Sequence, residues 1–117
     1  MEGSQTHSYR VIITASAEIS FYEFSSYLYD HYSIEKAEKL STALKNMAGE
    51  LINYPHRGSI EPQLTGRKNV YRYILFKRTS RATVKIIYYV EEVEKSVYIT
   101  DFFPTEMNDN KLPSRNK

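Results

Sequence analysis

The sequence predicts an α+β domain whose elements follow the order β-α-α-β-β-β. Three observations support this prediction. Two stretches near the N-terminus carry apolar residues at helical spacing, three stretches in the second half are rich in strand formers, and the segments between those strands are short enough for antiparallel hairpins. The 117 residues, of which 41% are hydrophobic and 26% charged, suit one folded domain with a single modest core.

The first predicted strand is the β-branched run from Tyr9 to Thr14. Thr14 or Ser16 can cap the helix that follows, because a hydroxyl can accept a hydrogen bond from a free N–H of the first turn. The apolar residues of this helix recur at intervals of three and four: Ala17, Phe21, Phe24 and Leu28. This spacing indicates an amphipathic helix with one buried stripe.

A second helix is predicted after Ser33, which can serve as its cap. Its apolar stripe consists of Ala37, Leu40, Leu44, Met47 or Ala48, and Leu51. Gly49 weakens the last turns and Pro55 ends them, because proline cannot continue the hydrogen-bonding ladder. The two helices together predict a helical hairpin, followed by an irregular loop from Pro55 to Asn69.

Three strands are predicted after this loop, at Val70 to Phe76, Thr83 to Val90 and Val97 to Phe103. Alternation of side chains places Arg72 on the same face as Ile74 and Phe76. An arginine on a largely apolar face has either a functional role or a structural one. In the structural role its stem packs on those neighbours while its head meets a carboxylate such as Asp101.

Residues 9–104 are predicted to form the single domain, between a flexible N-terminus of residues 1–8 and a polar C-terminal tail of residues 105–117. We expect the tail to fray apart from an anchoring contact by Met107 or Leu112. The chain has no cysteine, no apolar run long enough to span a membrane and no signal-peptide pattern at its start. We therefore expect a cytoplasmic protein.

The charges of the chain are unevenly distributed. Residues 62–90 carry seven lysines or arginines and no acid: Arg67, Lys68, Arg72, Lys77, Arg78, Arg81 and Lys85. Such a segment can form a basic surface that attracts phosphates, or it can simply be solvated. The three histidines have no spacing typical of metal ligands, so we expect no metal and no cofactor, and we expect His56 to lie in a turn rather than act as a general base.

The chain resembles the RelE/ParE superfamily of toxins from bacterial type II toxin–antitoxin systems, also called plasmid stabilization proteins. The resemblance rests on YRVIITASAEISFYEF, on the YPHRG element, and on VYRYILF, VKIIYYV and VYITDFF, and it covers residues 9–112. It implies a small curved antiparallel sheet packed on a helical hairpin, a toxic activity, and neutralisation by a small cognate antitoxin protein.

The resemblance leaves two activities open. RelE-like members cut messenger RNA on the ribosome without a metal, whereas ParE-like members act on DNA gyrase and lack the nuclease residues. We favour a ParE-like, non-enzymatic inhibitor; the alternatives are a RelE-like ribosome-dependent endoribonuclease and an inactive homologue that only binds antitoxin.

The resemblance also implies candidate site residues. Arg72 belongs to a tyrosine–arginine pair found in both branches, so it does not separate them. A nuclease would use Arg72 with Arg67, Lys68 and Tyr98, whereas a surface for gyrase or antitoxin would use six cations: Arg72, Arg67, Lys68, Lys77, Arg78 and Arg81. Many relatives carry an arginine where this chain has Glu106, and a carboxylate there would repel a phosphate. This difference favours the ParE-like branch.

Overall fold

The computed structural model describes residues 9–78 and 82–116. Its elements are β1 (Arg10–Ile13), α1 (Ala15–His31), α2 (Ile34–Gly49), β2 (Ser59–Ile60), β3 (Arg72–Lys77), β4 (Thr83–Glu91), β5 (Ser96–Pro104) and α3 (Leu112–Arg115). Short 3₁₀ turns occupy Glu50–Ile52, Pro62–Leu64 and Asp109–Lys111. The predicted α+β class is confirmed. The predicted flexible N-terminus, residues 1–8, and Arg81 lie outside the described residues.

The two helices begin where their caps predict. The Thr14 hydroxyl accepts a hydrogen bond from the backbone N–H of Ala17, and the Ser33 hydroxyl accepts one from that of Lys36. The predicted stripe of α1 is buried in full, whereas in α2 Leu40 and Met47 are only partly buried. The helical hairpin therefore follows from local sequence signals.

The five strands form one sheet in the order β1-β5-β4-β3-β2. The meander β3-β4-β5 is antiparallel, as predicted, but β1 pairs with β5 in parallel. Parallel pairing is possible because the helices and three strands separate β1 from β5 along the chain, and only hairpin neighbours must run in opposite directions. The sheet is thus mixed rather than wholly antiparallel, and the two-residue strand β2 at its edge was not predicted.

Both sides of the sheet are covered. One side, here called the helix face, packs against α1 and α2 through residues that include Ile74, Tyr88 and Phe102. The other side, here called the tail face, carries a second buried cluster: Leu64, Tyr71, Ile87, Phe103 and Leu112. The segment after β5 supplies Leu112 to this cluster, so it belongs to the folded domain.

The expectation that the C-terminal segment frays is therefore wrong for its described part. Leu112 is fully buried, and the Arg115 guanidinium donates two hydrogen bonds to Asp101, at 2.9 and 2.7 Å. The Asn116 side-chain amide also donates to Asp101, at 3.0 Å, and the acceptor is Oδ2, the oxygen that Arg115 Nε contacts at 2.9 Å. The predicted anchoring contact by Leu112 exists, and a polar network that the sequence did not reveal extends it.

Within residues 9–78 and 82–116, no helix combines the length and the apolar character that crossing a membrane requires.

Candidate functional site

Arg72 lies on the helix face at the first position of β3, where it pairs with Ile60 of the edge strand β2. Its Nη1 atom donates a hydrogen bond to the Gly58 carbonyl at 2.9 Å. Tyr88, which lies directly opposite Arg72 in β4, accepts a hydrogen bond from the Gly58 N–H at 2.9 Å. The two side chains thus hold one residue of the YPHRG loop from both of its peptide groups.

The prediction that Arg72 meets Asp101 is wrong. Asp101 accepts hydrogen bonds from Arg115 and Asn116 instead. Arg72 meets a carbonyl rather than a carboxylate. A guanidinium has five N–H donors, and within the described part of the chain only one of those of Arg72 has a hydrogen-bond partner. The remaining donors are those that a bound anion or peptide could use.

Gly58 is required at this position by the space available. A Cβ atom built there would lie 2.6 Å from the Tyr88 hydroxyl and 2.7 Å from the Tyr73 carbonyl oxygen. Burial raises the pKa of the Tyr88 hydroxyl above its ordinary value, against the opposing effects of the Gly58 N–H and of Arg72. The phenol therefore remains neutral and able to accept the loop's hydrogen bond.

Tyr98 lies on the opposite side of the sheet from Arg72. Its neighbours Val97 and Ile99 pack on the helix face, so alternation along β5 turns Tyr98 to the tail face. There its ring stacks on that of Tyr89 with centroids 5.2 Å apart, and its hydroxyl donates to Glu94 at 2.6 Å. That hydrogen bond raises the pKa of Tyr98.

Arg67 also contacts the tail side. Its guanidinium donates to the Pro113 carbonyl at 2.9 Å and lies over the Tyr71 ring at 5.6 Å. Lys68 is exposed. The four residues of the nuclease prediction are therefore not assembled: the sheet separates Arg72 from Tyr98, and Arg67 fastens the C-terminal segment.

The cations of the β3–β4 hairpin differ in their surroundings. Lys77 is exposed, whereas the Arg78 side chain is only 5% exposed and forms an ion pair with Glu106 at 2.7 Å. The Arg78 guanidinium also lies over the rings of Phe24 and Tyr27, at 5.9 and 5.2 Å. Glu106 is thus neutralised by a neighbour, and Arg78 is a packing residue rather than part of a solvated turn.

Sequence reasoning missed a cluster around Glu92, in the turn between β4 and β5. One carboxylate oxygen lies 2.6 Å from His56 Nε2, and the other accepts a hydrogen bond from the Tyr9 hydroxyl at 2.7 Å. The hydrogen bond from Tyr9, together with His56 and Lys95, lowers the pKa of Glu92. The sequence singled out His56 only as part of the YPHRG element. It did not connect His56 with Tyr9 or Glu92, because the three residues are far apart in the chain.

The described residues contain no group of three or more His, Cys, Asp or Glu side chains that could hold a metal ion. The geometry around Arg72 offers hydrogen-bond donors and charge, and no carboxylate or imidazole of residues 9–78 or 82–116 bonds to its guanidinium. Comparisons with protein-family models, with curated protein sequences and with solved structures find no match for this chain. What the structure establishes is a small α+β fold with two helices ahead of a mixed five-stranded sheet.

Proposed function

We propose that this chain is the toxin of a bacterial type II toxin–antitoxin system and that it is ParE-like. In this proposal it inhibits DNA gyrase by binding and is neutralised by a cognate antitoxin. Two lines of support come together. One is the resemblance of residues 9–112 to RelE/ParE toxins, and the other is an element order that agrees with the fold which the resemblance implies.

The observation that carries the choice of branch is the separation of Arg72 from Tyr98 by the sheet. Proton transfer to or from a substrate needs a side chain within hydrogen-bond reach of the reacting group. Tyr98 lies on the tail face and donates its hydroxyl hydrogen bond to Glu94. It therefore cannot transfer a proton to or from a substrate that Arg72 holds on the helix face. A binding role for Arg72 and the exposed lysines needs no such partner.

The gyrase target can be tested with purified components. Increasing amounts of the chain are added to gyrase, relaxed plasmid and ATP, and we expect supercoiling to fall. The variants Lys68→Glu and Lys77→Glu change exposed cations of the basic segment and should weaken the inhibition, whereas Lys39→Glu on α2 is the matched control. Unaltered supercoiling at a large excess of the chain would rule gyrase out.

The antitoxin can be sought in the gene next to this one. Co-expression with the product of a short adjacent reading frame should yield a complex that survives purification and restores supercoiling in the same reaction. A product that binds while overexpression of the free chain leaves growth normal would support the inactive homologue instead.

One observation favours a second candidate, the RelE-like endoribonuclease. His56 lies in the loop that Arg72 fastens, next to the exposed Arg57, and its Nε2 atom meets Glu92 at 2.6 Å. A histidine oriented by a carboxylate through one ring nitrogen can exchange a proton at the other. This set would replace Tyr98 as the source of acid–base chemistry.

Mapping the 5′ ends of messenger RNA after induction decides between the two candidates. An endoribonuclease would produce cuts in register with codons, and these would disappear in His56→Ala and in Arg72→Ala. His31→Ala is the matched control, because His31 is an exposed histidine of α1. A transcript pattern that induction does not change would eliminate the nuclease.

A further inference from the structure

A small apolar cavity lies between α1 and the segment that follows β5. Its volume is about 280 Å³, and its apolar lining includes Phe24, Tyr27, Phe102 and Met107. Pockets that hold whole drug-sized molecules measure about 300 to 1,000 Å³. This cavity therefore suits a single ring or one long aliphatic side chain.

One hydrogen bond and two ion pairs join the walls of the cavity. Ser20 of α1 accepts a hydrogen bond from the Phe102 N–H at 3.0 Å, which joins the helix to β5. The ion pair of Arg78 with Glu106 and that of Arg115 with Asp101 hold the other sides. A preformed site spends little free energy on ordering its own side chains when a partner docks.

The charge at the rim is negative because one acid is left over. Two arginine–carboxylate pairs cancel there, Arg78 with Glu106 and Arg115 with Asp101. Glu23, which also lines the cavity, is exposed and forms no hydrogen bond or ion pair with any described residue, although its charge helps to raise the pKa of Arg115 from a longer distance. An apolar floor beside one unpaired carboxylate is complementary to a group that is both apolar and positively charged.

We propose that this cavity anchors one apolar side chain of the cognate antitoxin, next to an antitoxin lysine or arginine that pairs with Glu23. A short segment that inserts one side chain and places a polar neighbour on the rim is a common mode of peptide recognition. The identity of the partner rests on the proposed function. The preference of the cavity for an apolar cation does not.

The chemistry of the cavity can be tested with benzamidine, a ring that carries an amidinium charge. The methyl resonance of Met107 is followed by NMR during the titration, with that of Met47 on α2 as the internal reference. We expect saturable shifts at Met107, and a dissociation constant about two- to fivefold higher for Glu23→Gln, the range of an exposed ion pair. The control Glu38→Gln, an exposed acid of α2, should bind like the wild type.

Benzyl alcohol supplies the neutral comparison, because it keeps the ring and lacks the charge. Weaker binding of benzyl alcohol than of benzamidine supports the proposal. Equal binding of the two molecules, no shift at Met107, or a Glu23→Gln variant that binds benzamidine as tightly as the wild type would each overturn the assigned chemistry.

The partner is tested with the product of the adjacent reading frame. Glu23→Lys should raise the dissociation constant of the complex about tenfold or more, while Glu38→Lys should leave it within about twofold. Changing the responsible basic residue of the partner to glutamate should then restore binding to the Glu23→Lys variant. Urea unfolding of both variants checks that the fold is kept.

The outcomes separate this inference from the proposed function. If the wild type binds the product and Glu23→Lys binds it equally well, the anchor site is wrong and the antitoxin stands. If the wild type binds no product, the antitoxin assignment fails together with the anchor site, the supercoiling assay still tests the toxin activity, and the benzamidine titration decides the chemistry of the cavity.

Discussion

At the scale of single residues, Arg72 and Tyr88 act together on Gly58. The sequence placed Arg72 on an apolar strand face and singled out the YPHRG element, but it did not connect the two. Their contact spans 14 residues of chain, and it forms because β2 brings the loop to the outer edge of β3. Arg72, at the start of β3, is thereby explained as a residue that holds the loop in place and still has guanidinium donors without a partner among the described residues.

Gly58→Ala should destabilise the protein by about 1–3 kcal/mol, the usual cost of forcing atoms into a packed site. The added methyl would press on the Tyr88 hydroxyl and on the Tyr73 backbone, as the distances of 2.6 and 2.7 Å show. Gly49→Ala is the matched control, because nothing lies within 4 Å of a Cβ at that helical position. Urea unfolding measures both, and equal stability of the two variants would contradict the close packing around Gly58.

Tyr88 predicts a dependence of stability on alkaline pH. Burial raises the pKa of its hydroxyl in the folded chain, while the unfolded chain should titrate near the ordinary value of about 10. The folded state therefore holds this proton more tightly, and the free energy of unfolding should fall as pH rises above that value and through the folded pKa.

Tyr88→Phe should be less stable near neutral pH, because the Gly58 N–H loses its acceptor, but it should lose less further stability above pH about 10. Urea unfolding at a series of pH values gives the comparison. Tyr54→Phe, which changes a tyrosine that is 70% exposed, should follow the wild type throughout. An identical alkaline decline in Tyr88→Phe would show that other tyrosines cause it.

At the scale of elements, the helices were predictable and the C-terminal segment was not. A hydroxyl cap and an apolar stripe predict each helix, and both signals depend on residues that are close together in the chain. The last segment is too short and polar for such a signal. Its order comes from Leu112 in the tail-face cluster and from the bonds of Arg115 to Asp101.

Leu112→Ala should cost about 2–5 kcal/mol, because it empties a fully buried site. Val93→Ala in the β4–β5 turn is the control, since Val93 is 92% exposed and its removal should change stability by less than about 0.5 kcal/mol. Thermal or urea unfolding of the two variants checks this. A Leu112→Ala variant as stable as the control would mean that the segment adds nothing to the domain.

At the scale of the whole molecule, the order of the strands predicts which backbone amides are best protected from hydrogen exchange. β4 and β5 each have strand neighbours on both sides, whereas β2 consists of two residues at the outer edge. We expect the amides of β4 and β5 to exchange with solvent about a hundredfold or more slowly than those of β2. Hydrogen exchange followed by NMR measures this, and slow exchange in β2 with fast exchange in β5 would be incompatible with the sheet order.

The arrangement of the whole molecule also decides which candidate residues can act together. The nuclease prediction requires Arg72, Tyr98 and Arg67 to act at one site. Strand alternation and packing then send Arg72 to the helix face and the other two to the tail face. The same packing brings His56, Glu92 and Tyr9 together from three separate regions of the chain.

The sequence alone is enough to predict the α+β class, both helices with their caps and most of their buried stripes, the three-stranded meander and the face that Arg72 occupies. These features depend on periodicity and on signals between residues close in the chain. Three further features come from tertiary contacts: the parallel pairing of β1 with β5, the docking of the C-terminal segment, and the partners of Arg72 and Glu106. Those features depend on contacts between residues far apart in sequence, which form when the two faces of the sheet are buried.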